Sequence, residues 1–62
     1  MVNILQLQTD SAGNQGWVYF DQQNIDPSTA LSYITNLALD GNHYMAEMLM
    51  NDGINFTVLA QV

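Results

Sequence analysis

Residues 26–41 read DPSTALSYITNLALDG, and this central stretch predicts the one helix of the chain. Asp26 suits the N-cap of a helix because its carboxylate can accept hydrogen bonds from the first backbone amides. Pro27 suits the first helical position because its backbone angle is already set, and Gly41 can take the left-handed conformation that ends a helix. The apolar residues between them recur at helical spacing and predict one buried stripe, formed by Ala30, Leu31, Ile34, Leu37 and Ala38, with Tyr33 at its edge.

The segment before this helix predicts a β-hairpin over residues 2–23. Residues 2–9 alternate apolar and amide side chains near period two, and residues 17–21 are again rich in β-forming residues. Residues 10–16 between them concentrate turn formers, including two glycines. In the second strand Trp17 and Tyr19 share one face, so either this pair or the alternate pair, Val18 and Phe20, projects away from the helix.

The segment after the helix predicts a second hairpin. Asp52 and Gly53 form a strong hairpin signal between two apolar runs. The final run predicts a strand with one half-buried face, formed by Ile54, Phe56, Val58, Ala60 and Val62, with Leu59 as the exception. Residues 43–50 fit either a strand or a second helix, and we favour the strand because it completes a sheet large enough to cover the single helix.

These elements predict an α+β fold of the order ββαββ, in which a small antiparallel sheet carries one amphipathic helix on one face. The length of 62 residues predicts a single small domain over residues 1–62. No motif in the sequence is specific enough to indicate a family.

The charge balance excludes several functional classes. The chain has no Lys or Arg, six acidic residues and a formal net charge of −6, so direct binding of nucleic acid or of an anionic membrane is not expected. It has no Cys, which excludes disulfides and Cys-ligated metals. The longest apolar runs, residues 17–20 and 48–50, are too short for a signal peptide or a membrane span. We therefore expect a cytoplasmic protein, in the cytoplasm of the host cell if the source is a virus.

One group of side chains suggests catalysis or metal binding. His43, with Asp40 three residues before it and Glu47 four residues after it, would share one helix face and resemble a divalent-metal site. If residues 43–50 form a strand, only His43 and Glu47 share a face, and His43 is more simply a surface histidine. We predict no catalytic residues, no metal, no cofactor and no enzymatic activity.

The sequence therefore predicts a small acidic protein that binds and inhibits a larger protein with a basic surface, one that itself binds nucleic acid in the most natural case. A phage-type inhibitor, such as an anti-CRISPR or DNA-mimic protein, would fit this description. The alternative is a self-associating structural or assembly module. We expect a homodimer in either case, because a chain this short buries a thin core. The predicted partner-binding residues are Asp10, Trp17, Tyr19, Asp21, Tyr44 and Glu47.

Overall fold

The computed structural model describes all 62 residues and contains four strands and one α-helix. In chain order the elements are β1 (Val2–Thr9), β2 (Gln15–Gln23), α1 (Ala30–Leu37), β3 (Tyr44–Leu49) and β4 (Phe56–Gln61). Short 3-10 turns flank the helix at Pro27–Thr29 and Ala38–Asp40. The predicted α+β fold is confirmed, and residues 43–50 contribute a strand and not a second helix.

The four strands form one antiparallel sheet in the order β2-β1-β3-β4. Each hairpin contributes one central strand, and the two central strands pair with Ile4 opposite Ala46 and Gln6 opposite Tyr44. The helical segment connects the two hairpins and packs on one face of the sheet. The molecule measures 37 × 26 × 14 Å, a thickness that two layers fill.

The core lies between α1 and the two central strands. Its buried residues are Val2, Ile4, Ala30, Ile34, Tyr44 and Ala46. Leu31 was predicted to lie in the buried helix stripe, and this is wrong, because its side chain is 56% exposed. The stripe follows the i, i+3 and i+4 positions from Ala30, so that Tyr33 packs against the core where Leu31 was expected.

Both edge strands contain a β-bulge, and the two bulges flank the paired residues Ile4 and Ala46 of the central strands. The pairing of β1 with β2 skips Phe20 after Ile4, and the pairing of β3 with β4 skips Leu59 after Ala46. A bulge adds one residue to a strand and so interrupts its alternation. The predicted single face of the last strand is therefore wrong: Leu59, Ala60 and Val62 pack on the core, whereas Phe56 and Val58 are exposed. Ile54 lies before the strand and is exposed.

The ends of the helical segment agree only in part with the sequence prediction. Asp26 occupies the N-cap position, but its side chain makes no capping hydrogen bond. Its backbone carbonyl oxygen accepts instead from the Thr29 amide at 2.9 Å and the Thr29 hydroxyl at 2.8 Å, which closes the 3-10 turn. Gly41 has a φ of 91°, which confirms the predicted left-handed end. The one α-helix is too short and too polar to be a membrane-crossing segment.

Candidate functional site

The face of the sheet opposite α1 carries many apolar side chains, and we call it the open face. Successive side chains of a strand point to opposite faces, so the neighbours of buried Ile4 and Ala46 lie on this side. Directly paired residues share a face, which places Leu5 between Tyr19 and Met45 across three strands. By the same register the apolar members of the open face are Leu5, Leu7, Trp17, Tyr19, Met45, Leu49, Phe56 and Val58.

The outer strands carry the most accessible part of the open face. Tyr19 on β2 is 63% exposed and Val58 on β4 is 56% exposed, and both lie on edge strands. Leu49 and Phe56 are paired and also exposed, whereas Leu5 and Met45 in the centre are half-buried. The helix α1 covers the other face of these strands, and no element covers this one. An exposed apolar patch of this kind is typical of a protein-protein contact.

Glu47 is the only charged residue on the open face. It lies on the central strand β3, opposite Asn3 of β1 and opposite Val58 of β4. Along its own strand the neighbours on this face are Met45 and Leu49. The carboxylate thus stands among three apolar side chains and one amide, and the chain has no Lys or Arg to pair with it.

The structure brings together three of the six predicted partner-binding residues. Trp17, Tyr19 and Glu47 all lie on the open face. Tyr44 cannot contact a partner, because its side chain lies on the helix side and is completely buried. The prediction that Tyr44 binds a partner is therefore wrong. Its phenol ring fills the core, and its hydroxyl group forms hydrogen bonds with polar side chains there.

Asp10 and Asp21 lie elsewhere and stabilise their own segments. The Asp10 carboxylate accepts hydrogen bonds from the amides of Ala12 and Asn14, both at 2.9 Å, and so organises the loop between β1 and β2. Asp21 is paired with Ile4, whose side chain lies on the helix side. These two carboxylates contribute to the negative field of the protein, but they are not members of the open face.

Four aspartates have a pKa below the ordinary value because they accept hydrogen bonds in the ionised form. At Asp10 and Asp52 the main cause of the lowered pKa is a backbone amide, from Asn14 and Asn55 respectively. At Asp21 the main cause is the side chain of Gln23, and at Asp40 it is the hydroxyl of Tyr44. These carboxylates stay ionised under ordinary conditions and have a local structural role.

The groups that suggested metal binding do not come together. His43 precedes β3, and its Nδ1 lies 3.3 Å from the backbone oxygen of Val62. Asp40 is bound to Tyr44, and no three His, Cys, Asp or Glu side chains cluster as metal ligands. One shallow depression of about 300 Å³ lies beside the first hairpin loop, lined by Gln8, Thr9, Asp10, Asn14, Gln15, Gly16 and Val18. Most of its lining residues are polar, and its one carboxylate, Asp10, accepts hydrogen bonds from the backbone of the loop.

Sequence reasoning missed six apolar members of the open face: Leu5, Leu7, Met45, Leu49, Phe56 and Val58. The alternation in residues 2–9 did place Leu5 and Leu7 on one face, but it gave no sign of which face the helix covers. The signal for Phe56 and Val58 was the irregular Leu59, since an interrupted alternation is what a bulge produces.

No protein-family model, curated protein or solved structure matches the chain in sequence or fold comparison. The function must therefore be inferred from the surface itself.

Proposed function

We propose that the protein is a non-enzymatic binding protein that inhibits a larger protein by covering part of its basic surface. The observation that carries this proposal is the open face, which has eight apolar side chains and a single carboxylate. Aromatic and Met side chains are enriched in the centres of protein interfaces, and the open face includes Trp17, Tyr19, Met45 and Phe56.

The size of the open face supports one interface of ordinary dimensions. The two longer dimensions of the molecule, 37 and 26 Å, give this face a projected area of roughly 960 Å². A stable protein-protein contact buries about 800 Å² on each partner. A partner of ordinary size would therefore use most of this face, and the helix on the other side would remain in solvent.

The charge of the chain supports a basic partner. Its net charge of −6 comes with no Lys or Arg, so the field around the molecule is negative on every side. Such a field accelerates encounter with a positive surface. We further propose that the protein acts in the cytoplasm, that of the host cell if the source is a virus, in the manner of a phage inhibitor of a nuclease or CRISPR complex.

The distribution of the carboxylates favours apolar docking over imitation of DNA. Asp10 follows β1 and Asp52 follows β3, and these antiparallel strands end at opposite ends of the sheet. Four of the six acidic side chains accept hydrogen bonds from residues within four positions of them in the chain. The negative charge then steers the approach of the partner, while the open face supplies the contact.

A self-associating module is the second candidate, and the same face favours it. Two copies that pack face to face would cover the apolar side chains of both, and would form the homodimer expected from the small core. The edge strands β2 and β4 also have unpaired backbone groups that can pair with a further strand.

Affinity capture with matched variants tests the proposal. The wild-type chain, the double variant Tyr19→Thr/Val58→Thr and the control Leu39→Thr are each immobilised and exposed to the native cell extract. Threonine keeps the preference for strand in the double variant, and Leu39 lies in the turn after α1 and is 84% exposed.

We expect the wild type and Leu39→Thr to retain one protein whose own activity falls when the chain is added, and we expect the double variant to lose it. Equal retention by all three chains would contradict the proposal, because the open face would then have no part in binding.

A further inference from the structure

We infer that the open face binds a protein surface that presents a Lys or Arg side chain to Glu47, and does not bind a second copy of this chain. The inference rests on the proposed function and names the chemistry of the partner at one position. It starts from the location of the carboxylate, which stands in the middle of the apolar side chains that a partner must cover.

A partner that covers the open face would also bury Glu47. It lies on a central strand, with Met45 and Leu49 before and after it on the same face and Val58 beside it. The remaining neighbour, Asn3, is a neutral amide, and its side-chain hydrogen bond joins it to Gln22 at 3.0 Å and not to Glu47. Any protein surface that covers Leu49 and Val58 therefore takes water away from the carboxylate between them.

A second copy of the chain is a poor occupant because its open face has no cationic side chain to pair with this carboxylate. Two open faces packed together would bury two copies of Glu47, and the chain contains no Lys or Arg with which to pair them. Burial of a carboxylate without a counter-charge weakens association by orders of magnitude. The apolar side chains of the open face favour association with a partner, whereas Glu47 disfavours association of two copies of the chain.

A partner with a cation removes this penalty. A Lys or Arg directed at Glu47 would form a charge-assisted hydrogen bond in a setting that neighbouring apolar side chains keep dry, and Arg can bind both carboxylate oxygens at once. Removal of one member of such a pair at an interface weakens binding strongly, mainly through faster dissociation. Glu47 is thus the specificity-determining residue of the open face.

Sedimentation of the purified chain tests which occupant the face accepts. The small core alone predicts a homodimer, but because of Glu47 we expect the wild type to remain a monomer of 6.9 kDa from micromolar to millimolar concentration at neutral pH. Glu47→Leu completes the apolar face, and we expect its self-association constant to exceed that of the wild type by at least about tenfold. The control Asp26→Asn makes a similar change of charge at a residue whose side chain makes no capping hydrogen bond, and it should stay monomeric. A wild-type dimer that Val58→Thr abolishes would overturn the inference.

Selection from a displayed library of random peptides tests whether Glu47 requires a Lys or Arg in the partner. The immobilised wild-type chain is the target, and the selected peptides are then measured against Glu47→Gln, Asp26→Asn and Tyr19→Thr/Val58→Thr. We expect peptides that combine apolar residues with a Lys or Arg, and that lose about 30-fold or more in affinity for Glu47→Gln while Asp26→Asn leaves their affinity unchanged.

The two proposals fail in different ways. Peptides that depend on Tyr19 and Val58 but bind Glu47→Gln as tightly as the wild type would overturn the role of Glu47 and leave the open face as the binding surface. Peptides that bind all the variants equally, or a library that yields no binder, would overturn both proposals.

Discussion

The hydroxyl group of Tyr44 donates a hydrogen bond of 2.5 Å to the carboxylate of Asp40, which joins the end of the helical segment to the first residue of β3. The same hydroxyl oxygen accepts a hydrogen bond of 3.0 Å from the side-chain amide of Gln6 on β1. The Phe20 ring meets the Tyr44 ring edge to face, with centroids 5.3 Å apart. Tyr44 therefore connects both hairpins and the helical segment, and its polar end is satisfied although the side chain is buried.

Substitution of Tyr44 should separate the contribution of its ring from that of its hydroxyl group. We expect Tyr44→Ala to lower the free energy of unfolding by about 3 to 5 kcal/mol, as loss of a buried aromatic ring does. Tyr44→Phe keeps the ring and loses only the hydrogen bonds to Asp40 and Gln6, so its effect should be clearly smaller. Denaturant unfolding of both variants measures the difference, and equal losses would show that the ring does not fill the core.

The stability of the protein should fall in acid. Hydrogen bonds lower the pKa of Asp10, Asp21, Asp40 and Asp52 in the folded state from an ordinary value of 3.8. Their contribution to stability is therefore complete above that ordinary value, and it is lost as the pH falls through the lowered folded-state values.

Denaturant midpoints from neutral to strongly acidic pH measure this loss. High salt should be present throughout, because it screens the repulsion that the net charge of −6 produces. Asp52→Asn removes one titrating group and should reduce the loss in acid. A midpoint that stays constant or rises as the four carboxylates are protonated would rule out their role.

Two leucine-sized residues on α1 should respond very differently to truncation. Ile34 is completely buried, and we expect Ile34→Ala to cost about 2 to 5 kcal/mol in stability. Leu31 is mostly exposed, so Leu31→Ala should change stability by no more than about 0.5 kcal/mol. Thermal or denaturant unfolding of the pair checks the orientation of the helix, and a larger cost at Leu31 would mean that the other helix face is buried.

Binding to the captured partner should depend on salt through its association rate. The field of an acidic chain is screened within about 8 Å at physiological ionic strength, whereas packed apolar contacts are not. Raising the salt concentration should thus slow association more than it speeds dissociation, and Trp17→Ala should act mainly on dissociation. Association rates that do not vary with salt would exclude electrostatic steering.

The order of elements was predictable because each boundary carries a local signal. Asp26 and Pro27 mark the start of the helical segment, Gly41 its end, and Asp52 with Gly53 the second hairpin. The choice of a strand for residues 43–50 depended on this hairpin signal together with a tertiary argument, namely that one helix needs a sheet wide enough to cover it, and the structure confirms the strand.

The composition of the two faces was not predictable in full, because it depends on contacts between distant segments. The bulge at Leu59 moves Phe56 and Val58 to the face opposite the helix, and the alternation alone does not show where the register changes. The buried hydroxyl group of Tyr44 accepts a hydrogen bond from Gln6, which lies 38 residues away in the sequence. Trp17 and Tyr19 were identified as a pair on one face, but only the packing of the helix decides that this face is the open one.

Amide chemical-shift mapping shows which surface of the protein its partner covers. The isotope-labelled chain is titrated with the protein retained in the capture experiment, and the amide signals are followed for every residue. We predict that the largest changes fall on the strands around Leu5, Met45, Glu47 and Val58, with residues 30–37 of the helix unaffected. Changes centred on the helix, with the signals around Glu47 unmoved, would show that the partner does not bind the open face.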